Sequence, residues 1–343
     1  MSRRTPPEPD LQLRLGNGEE MAFQLIPAGE FRMGARDEYR DEEPAHTVRI
    51  TQPFYLGRFP VTQTQFLAWR AGHEFGFPGK RRHPAEQVTW DEAVEFCAWL
   101  TTTCRDQLRG HVACLPTEAE WEYACRARKD AQAAGGWTTT QTEYYTGDGE
   151  AALKDAGWYS GNAEESTHDV GGKEPNELWL YDMHGNVDEW CWDAYDADAY
   201  KTRVDGVADP GDDTRRRALG GEALVAAAGG GNPGRVIRGG SWFGGAWDCR
   251  SAYRVGFVPG DRFGFLGFRV CVVPGPVTER TSPEAELATG DGARRDAGAE
   301  SEGAGGAGVG PDLSRAHFRR AAGTRKKATG ATGATATPRR RGR

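Results

Sequence analysis

The stretch "RVIRGGSWFGGAWDCRSAYRVGFVPGDRFGFLGFRV", residues 235–270, decides how the chain is read. Its ends, "RVIRGG" and "GFRV", read as strands of a fixed frame. Between them Phe, Gly, Val, Tyr and Trp crowd a segment with neither the two-residue period of a strand nor the 3.6-residue period of a helix. Aromatic rings separated by glycine supply rigid contact area beside adaptable backbone, the composition of binding paratopes. Fixed-looking residues interrupt the run: Cys249 to Ala252, Arg254, Pro259, Asp261 and Arg262. A monomer rarely exposes such a surface without a partner, so the run is either core packing or a recognition face.

Working outward, residues 21–275 carry nearly all the Trp, Tyr and Phe of the 343-residue chain, so the core is expected there. Residues 1–20 read as a polar leader. Residues 276–343 hold one aromatic, Phe318, and cannot bury enough apolar surface to offset ordering entropy, which predicts a disordered tail. From Arg315 to Arg343 that tail has ten Lys or Arg and no acid; it reads as a solvated tail, with weak nucleic-acid contact the alternative and open to no other part of the chain. Residues 203–234 read as a loop excursion. The net charge of −7 selects no partner. The start of the chain lacks an apolar signal segment and no stretch approaches about 18 apolar residues, so a cytoplasmic protein without a membrane partner is expected. Seven cysteines without a CxxC motif predict reduced thiols.

Three capping boxes mark helix starts: Thr62 with Gln65, Thr89 with Glu92, and Thr117 with Glu120. Cys97 and Cys125 fall at helical spacing among apolar residues and read as core. "FRMGA", "HTVRI" and "FYLGRFPV" read as short strands. Few helices, short strands and long connections predict an α+β domain.

The phrases "FRMGA", "EEPAHTVRI", "FYLGRFPVTQTQF", "PAEQVTWDEAVEFCAWL", "LPTEAEWEYACRA", "NELWLYDMHGNVDEW", "RVIRGGSW", "RSAYR" and "GFRV" occur in one order over residues 21–273. Together they resemble the formylglycine-generating-enzyme (sulfatase-modifying factor) family, which implies a C-type-lectin-like fold with many ordered loops. The family's enzymes are copper-dependent oxidases that generate formylglycine from a substrate cysteine, using two cysteines after the "GGSW" phrase. Two soft thiolates suit Cu(I). Here the first of those positions is Gly244 and the second is Cys249, while Ser241 matches a residue beside the copper. One thiolate does not make that site, Cys271 lies in an apparent strand, and no catalytic residue is assigned. Copper is not expected. The resemblance also implies at most one structural calcium, on Asp182, the carbonyls of Gly185 and Val187, and Glu189, a hard-oxygen set.

A narrower resemblance lies in the opening stretch. Its alternation of fixed and changeable positions is similar to the variable proteins of diversity-generating retroelements, which use the same lectin-like fold. Their variable codons derive from adenine-rich templates, commonly AAC. Changes in the first two bases of AAC yield the residues at Phe243, Gly244, Gly245, Asp248, Tyr253, Val255, Gly256, Phe257, Val258, Phe263, Gly264 and Phe265; Trp247 needs another template codon. The resemblance implies a catalytically inactive recognition protein whose variable face, residues 243–265, contacts a ligand expected to be a protein. Trp247, Tyr253, Phe257 and Phe263 are the expected anchors, and Asp248 sets polarity. Arg238, Ser241, Trp242, Arg250, Arg254 and Arg269 are the expected frame.

Overall fold

Three threonines start the three helices whose capping boxes are legible in the sequence. Thr62, Thr89 and Thr117 each accept from the backbone N–H three residues on, and Gln65, Glu92 and Glu120 each reach back to the capping N–H. The helices run Gln63–Leu67, Trp90–Thr103 and Glu118–Arg126. Cys97 and Cys125 point into the core, and all seven cysteines are free and buried. The computed structural model describes residues 5–36, 38–129, 137–219 and 234–275. The 276–343 tail and residues 220–233 of the excursion lie outside the described residues.

An antiparallel five-stranded sheet takes the order Leu11–Arg14, Glu20–Ile26, Phe54–Gly57, Cys271–Pro274, His111–Cys114. The closing strand of the domain thus inserts between two earlier ones. A second sheet runs Arg254–Phe257, Arg235–Arg238, Asp188–Ala194, Leu266–Gly267. A third pairs Val207–Ala208, His46–Ile50 and Gly29–Met33. Mixed strands and helices with long connections form the expected α+β architecture. No helix among the described residues is long and apolar enough to cross a membrane.

Two boundaries differ from expectation. The leader read over residues 1–20 contains the edge strand Leu11–Arg14, and Leu13 and Leu15 are buried. A polar-rich strand of four residues with one inward face gives too weak an alternation to stand out. The excursion is likewise structured at its start. Val207–Ala208 pairs with His46–Ile50, and helix Asp212–Leu219 sends Arg215 inward to Glu120 at 2.5 and 2.6 Å.

Candidate functional site

Helix Glu118–Arg126 places glutamates at 118, 120 and 122. Successive helical residues turn by about 100°, so these carboxylates reach different parts of the fold. Glu118 accepts from Arg254 Nε at 2.5 Å and Nη2 at 3.1 Å, with Arg238 Nε 3.3 Å away. Glu122 pairs with Arg238 and, at 2.8 Å, with Arg126. Arg250 makes a fork on Glu42 at 2.9 and 2.7 Å, and Arg269 one on Glu189 at 2.6 and 2.7 Å. All of these side chains are buried, and buried charge is tolerable only when paired and hydrogen-bonded. Burial alone would raise the Glu118 pKa; Arg254, Arg238 and Arg203 outweigh it and hold the carboxyl at about 2. The arginines expected as frame residues are therefore bolts between the 235–270 stretch and the rest of the domain.

Between the bolts the stretch turns outward. Phe243, Gly245, Trp247, Asp248, Tyr253, Val255, Gly256, Phe257, Phe263 and Gly264 are half-buried, Val258 is exposed, and Gly244 and Phe265 are buried. The interrupting residues behave oppositely: Cys249, Arg250, Ser251, Ala252, Arg254 and Pro259 are all buried. Asp261 and Arg262 do not follow them inward; Asp261 closes a turn by accepting from Val258 N at 3.0 Å, and Arg262 pairs with Glu92 at 2.7 Å.

The rings form two groups. Phe263 and Phe265 stack at 4.9 Å between centroids, Phe243 stacks on Phe265 at 5.6 Å, and Phe257 meets Phe263 edge-on at 5.5 Å. In the second group the Arg250 guanidinium lies 4.2 Å from the Trp247 ring, and Tyr39 sets its edge to Trp247 and Tyr253 at 6.1 and 5.9 Å. Phe77 meets Trp242, beside Phe243, at 5.3 Å. Tyr39 and Phe77 escaped sequence reasoning because each sits in a polar or glycine-rich loop far from the run.

Three of the proposed contact positions have a different geometry. A Cβ on Gly256 would lie 2.4 Å from Tyr195 Cγ, so this residue faces inward. A Cβ on buried Gly244 would lie 3.2 Å from Asp248 Cβ, already a tight approach. Asp248 Oδ2 accepts from Gly245 N at 2.9 Å and so closes its own turn. Burial raises the Asp248 pKa. By contrast, Gly245 and Gly264 have room for a side chain, with nothing nearer than 3.7 Å.

The residues present do not fit a two-thiolate copper site. Gly244 brings no thiol. Cys249 is buried with Tyr144, Leu153 and Tyr159, and burial pushes its thiol well above the usual range, with Asp188 and Asp248 adding to the rise. Gly240, at φ +68°, backs it closely: a Cβ there would be 2.7 Å from Cys249 Sγ. Cys271 is held in the five-stranded sheet beside Cys114 and cannot fold back. Burial pushes Asp188 up to about 8 despite the Ser241 hydroxyl beside it, and His184, donating from Nδ1 to the Cys249 carbonyl at 2.8 Å, is pushed down to about 3 by burial.

The calcium set fares similarly. Glu189 accepts from Arg269 on both oxygens and from the Trp121 indole at 2.8 Å. Asp182 accepts from Gly171 N at 2.7 Å and Asn186 Nδ2 at 3.3 Å, and burial raises it to about 6. Gly185 and Val187 lie between them on the chain and are buried. With each carboxylate oxygen already taken by a protein donor, this set does not fit a calcium ion. Among the described residues no group of three or more His, Cys, Asp or Glu side chains is placed to hold a metal.

The model of the sulfatase-modifying factor enzyme 1-like domain matches residues 14–273. Among solved structures, Treponema denticola variable protein 1 is similar with a TM-score of 0.60 at 28% identity, over 78% of this chain and 99% of that one. The formylglycine-generating enzyme of Thermomonospora curvata is 29% identical over 238 residues, 52% of this chain and 73% of that enzyme. Serine/threonine-protein kinase pkn1 of Chlamydia pneumoniae is 31% identical over 71% of this chain, which spans only 37% of that protein's length.

Proposed function

The chain belongs to the sulfatase-modifying factor enzyme 1-like family, with its C-type-lectin-like α+β fold, and on that premise we propose that it is a recognition protein that displays a diversified binding surface and performs no oxidase chemistry. The observation that carries this reading is the partition of the 243–265 stretch. Positions that read as variable are half-buried or exposed, with Gly244 and Phe265 the exceptions, while most residues between them are buried, two of them, Arg250 and Arg254, in ion pairs. Core packing would draw both sets inward. The structural likeness to a variable protein supports the same reading.

Affinity would come from few anchors, since a handful of large side chains that a partner fully desolvates carries most of an interface's energy. Trp247, Tyr253, Phe257 and Phe263 are those rings. Asp248 is better assigned to holding the Gly245–Asp248 turn than to setting ligand polarity. A protein ligand suits this set because interface cores are enriched in aromatic residues and Arg.

The competing reading, a copper-dependent oxidase, keeps Ser241 and Cys249 but lacks a second thiol at 244. The deciding experiment is sequencing of the DNA that encodes residues 235–270 together with its flanks. The recognition reading expects an imperfect repeat of this stretch beside a reverse-transcriptase gene, differing only where the repeat has adenine. A locus without such a repeat defeats it.

A further inference from the structure

The aromatic stretch does not build its surface alone. Tyr39 lies far earlier in the chain, yet its ring meets both Trp247 and Tyr253. The segment carrying it is held from behind. The Asp41 carboxylate accepts from Tyr195 Oη at 2.8 Å, and the Asp41 carbonyl accepts from Arg254 Nη1 at 3.3 Å. A turn is closed by Glu42 N donating to the Tyr39 carbonyl at 3.0 Å. Tyr195 in turn occupies the space that a side chain at 256 would need. A Cβ built on Gly256 would sit 2.4, 2.5 and 2.6 Å from Tyr195 Cγ, Cδ1 and Cβ. Those atoms are the root of the side chain and not its flexible tip, so turning the ring about its own axis relieves nothing. Strand alternation explains the conflict: in Arg254–Phe257, residues 254 and 256 share the inward face while Val255 and Phe257 take the other.

We propose that position 256 is a positioning residue that tunes the recognition surface from beneath. Glycine leaves Tyr195 seated on Asp41 and so fixes Tyr39 against Trp247 and Tyr253. Any larger residue displaces Tyr195, breaks the Asp41 bond and releases Tyr39. Glu42 stays clamped by the Arg250 fork, so the release is confined to the residues just before it. Diversification at this position therefore changes the pose of a ring that the diversified stretch does not encode. The significance of the coupling rests on the recognition reading; the coupling itself needs no ligand.

The test is hydrogen exchange on the full chain, followed in a peptide spanning residues 38–43, with Gly256→Ala, Tyr195→Phe, the double variant and Val255→Ala. Tyr195→Phe keeps the ring and loses one hydrogen bond, which predicts roughly fivefold faster exchange there. Gly256→Ala should give at least as much, the double variant no more than Gly256→Ala, and Val255→Ala no change. Wild-type exchange in Gly256→Ala, or effects that multiply in the double variant, would overturn the proposal. If Gly256→Ala loosens the whole domain, so that helix Trp90–Thr103 also exchanges faster, then Tyr195→Gly in the same chain, which removes the Cβ at 2.6 Å along with the ring, must restore that helix; failure to do so also overturns it. A locus without the template repeat removes the recognition reading and leaves this coupling intact, so the two failures are distinguishable.

Discussion

Replacing Arg254 with Met separates frame from face. The substitution keeps length and apolar bulk but strips Glu118 of its 2.5 and 3.1 Å partners and takes one donor from each of the carbonyls of Asp41 and Asp196. Removing one member of a buried pair costs about 3–5 kcal/mol. Glu118 still has Arg238 at 3.3 Å and Arg203 at 3.7 Å, which argues for the lower end, about 3 kcal/mol. For a domain of this size that lowers Tm by roughly 6–12 °C. Phe257→Ser, three residues on, removes contacts to Phe263 and Phe265 at 5.5 and 6.3 Å from a half-buried ring and should cost about 1 kcal/mol. Urea unfolding followed by tryptophan fluorescence measures both. The pH dependence adds a signature. Glu118 is held at about 2, below its usual 4.5, so its contribution is present above pH 4.5 and lost as pH falls toward 2. The gap between wild type and Arg254→Met should therefore be widest at pH 7 and narrow at pH 3. A cost below about 1 kcal/mol for Arg254→Met, or equal costs for the two variants, would refute the division into buried bolts and tolerant face.

Asp188 supplies a prediction of opposite sign. Its pKa is raised to about 8 from 3.8, so the fold prefers the protonated form, and stability declines as pH rises from about 4 to 8. Asp188→Asn should flatten that decline and stabilise the protein at pH 9 on the order of a few kcal/mol, read by urea unfolding at pH 5 and 9; a variant that is less stable at pH 9 contradicts the assignment. Copper(I) titration should show no stoichiometric site at Cys249 and no oxygen consumption with a cysteine peptide; tight one-to-one binding abolished by Cys249→Ser would restore the oxidase reading. Because Arg269 already occupies Glu189, EGTA and added calcium should leave Tm unchanged, while Glu189→Gln should destabilise equally in both by about 3 kcal/mol. A calcium-dependent rise in Tm would reverse that conclusion.

What the sequence made legible was local. The capping boxes announced three helices because they are short-range hydrogen-bond devices written in adjacent residues. "HTVRI" announced its strand because one face is buried and the other wet, so it alternates. Strand Asp188–Ala194 was missed because six of its seven residues are buried, which erases alternation, and because its acids read as solvent-facing. Strand Arg254–Phe257 was missed for another reason: one buried arginine followed by three half-buried residues, one of them glycine, carries no period. At the site, the aromatic anchors were legible as composition, but the inward aim of Gly256 was not, since a missing side chain has no pattern. The contribution of Tyr39 and the commitment of Asp248 to its own turn needed the folded structure, as did the pairing of Arg238, Arg250, Arg254 and Arg269 with glutamates far away in sequence.

The alternate glutamates of one nine-residue helix have a consequence for inheritance. Most random substitutions cost about 1 kcal/mol and a domain holds only about 5–15 kcal/mol in reserve, so a dozen simultaneous changes would normally exhaust it. Here most of the carboxylates that retain the stretch belong to Glu42, Glu118 and Glu122, whose codons lie well upstream of the aromatic run. A copying process confined to that run can rewrite its outward rings while half of each anchoring pair stays out of reach. Robustness to mutation is thereby stored in one part of the gene and spent in another, and a lineage can sample many surfaces without sampling many folds.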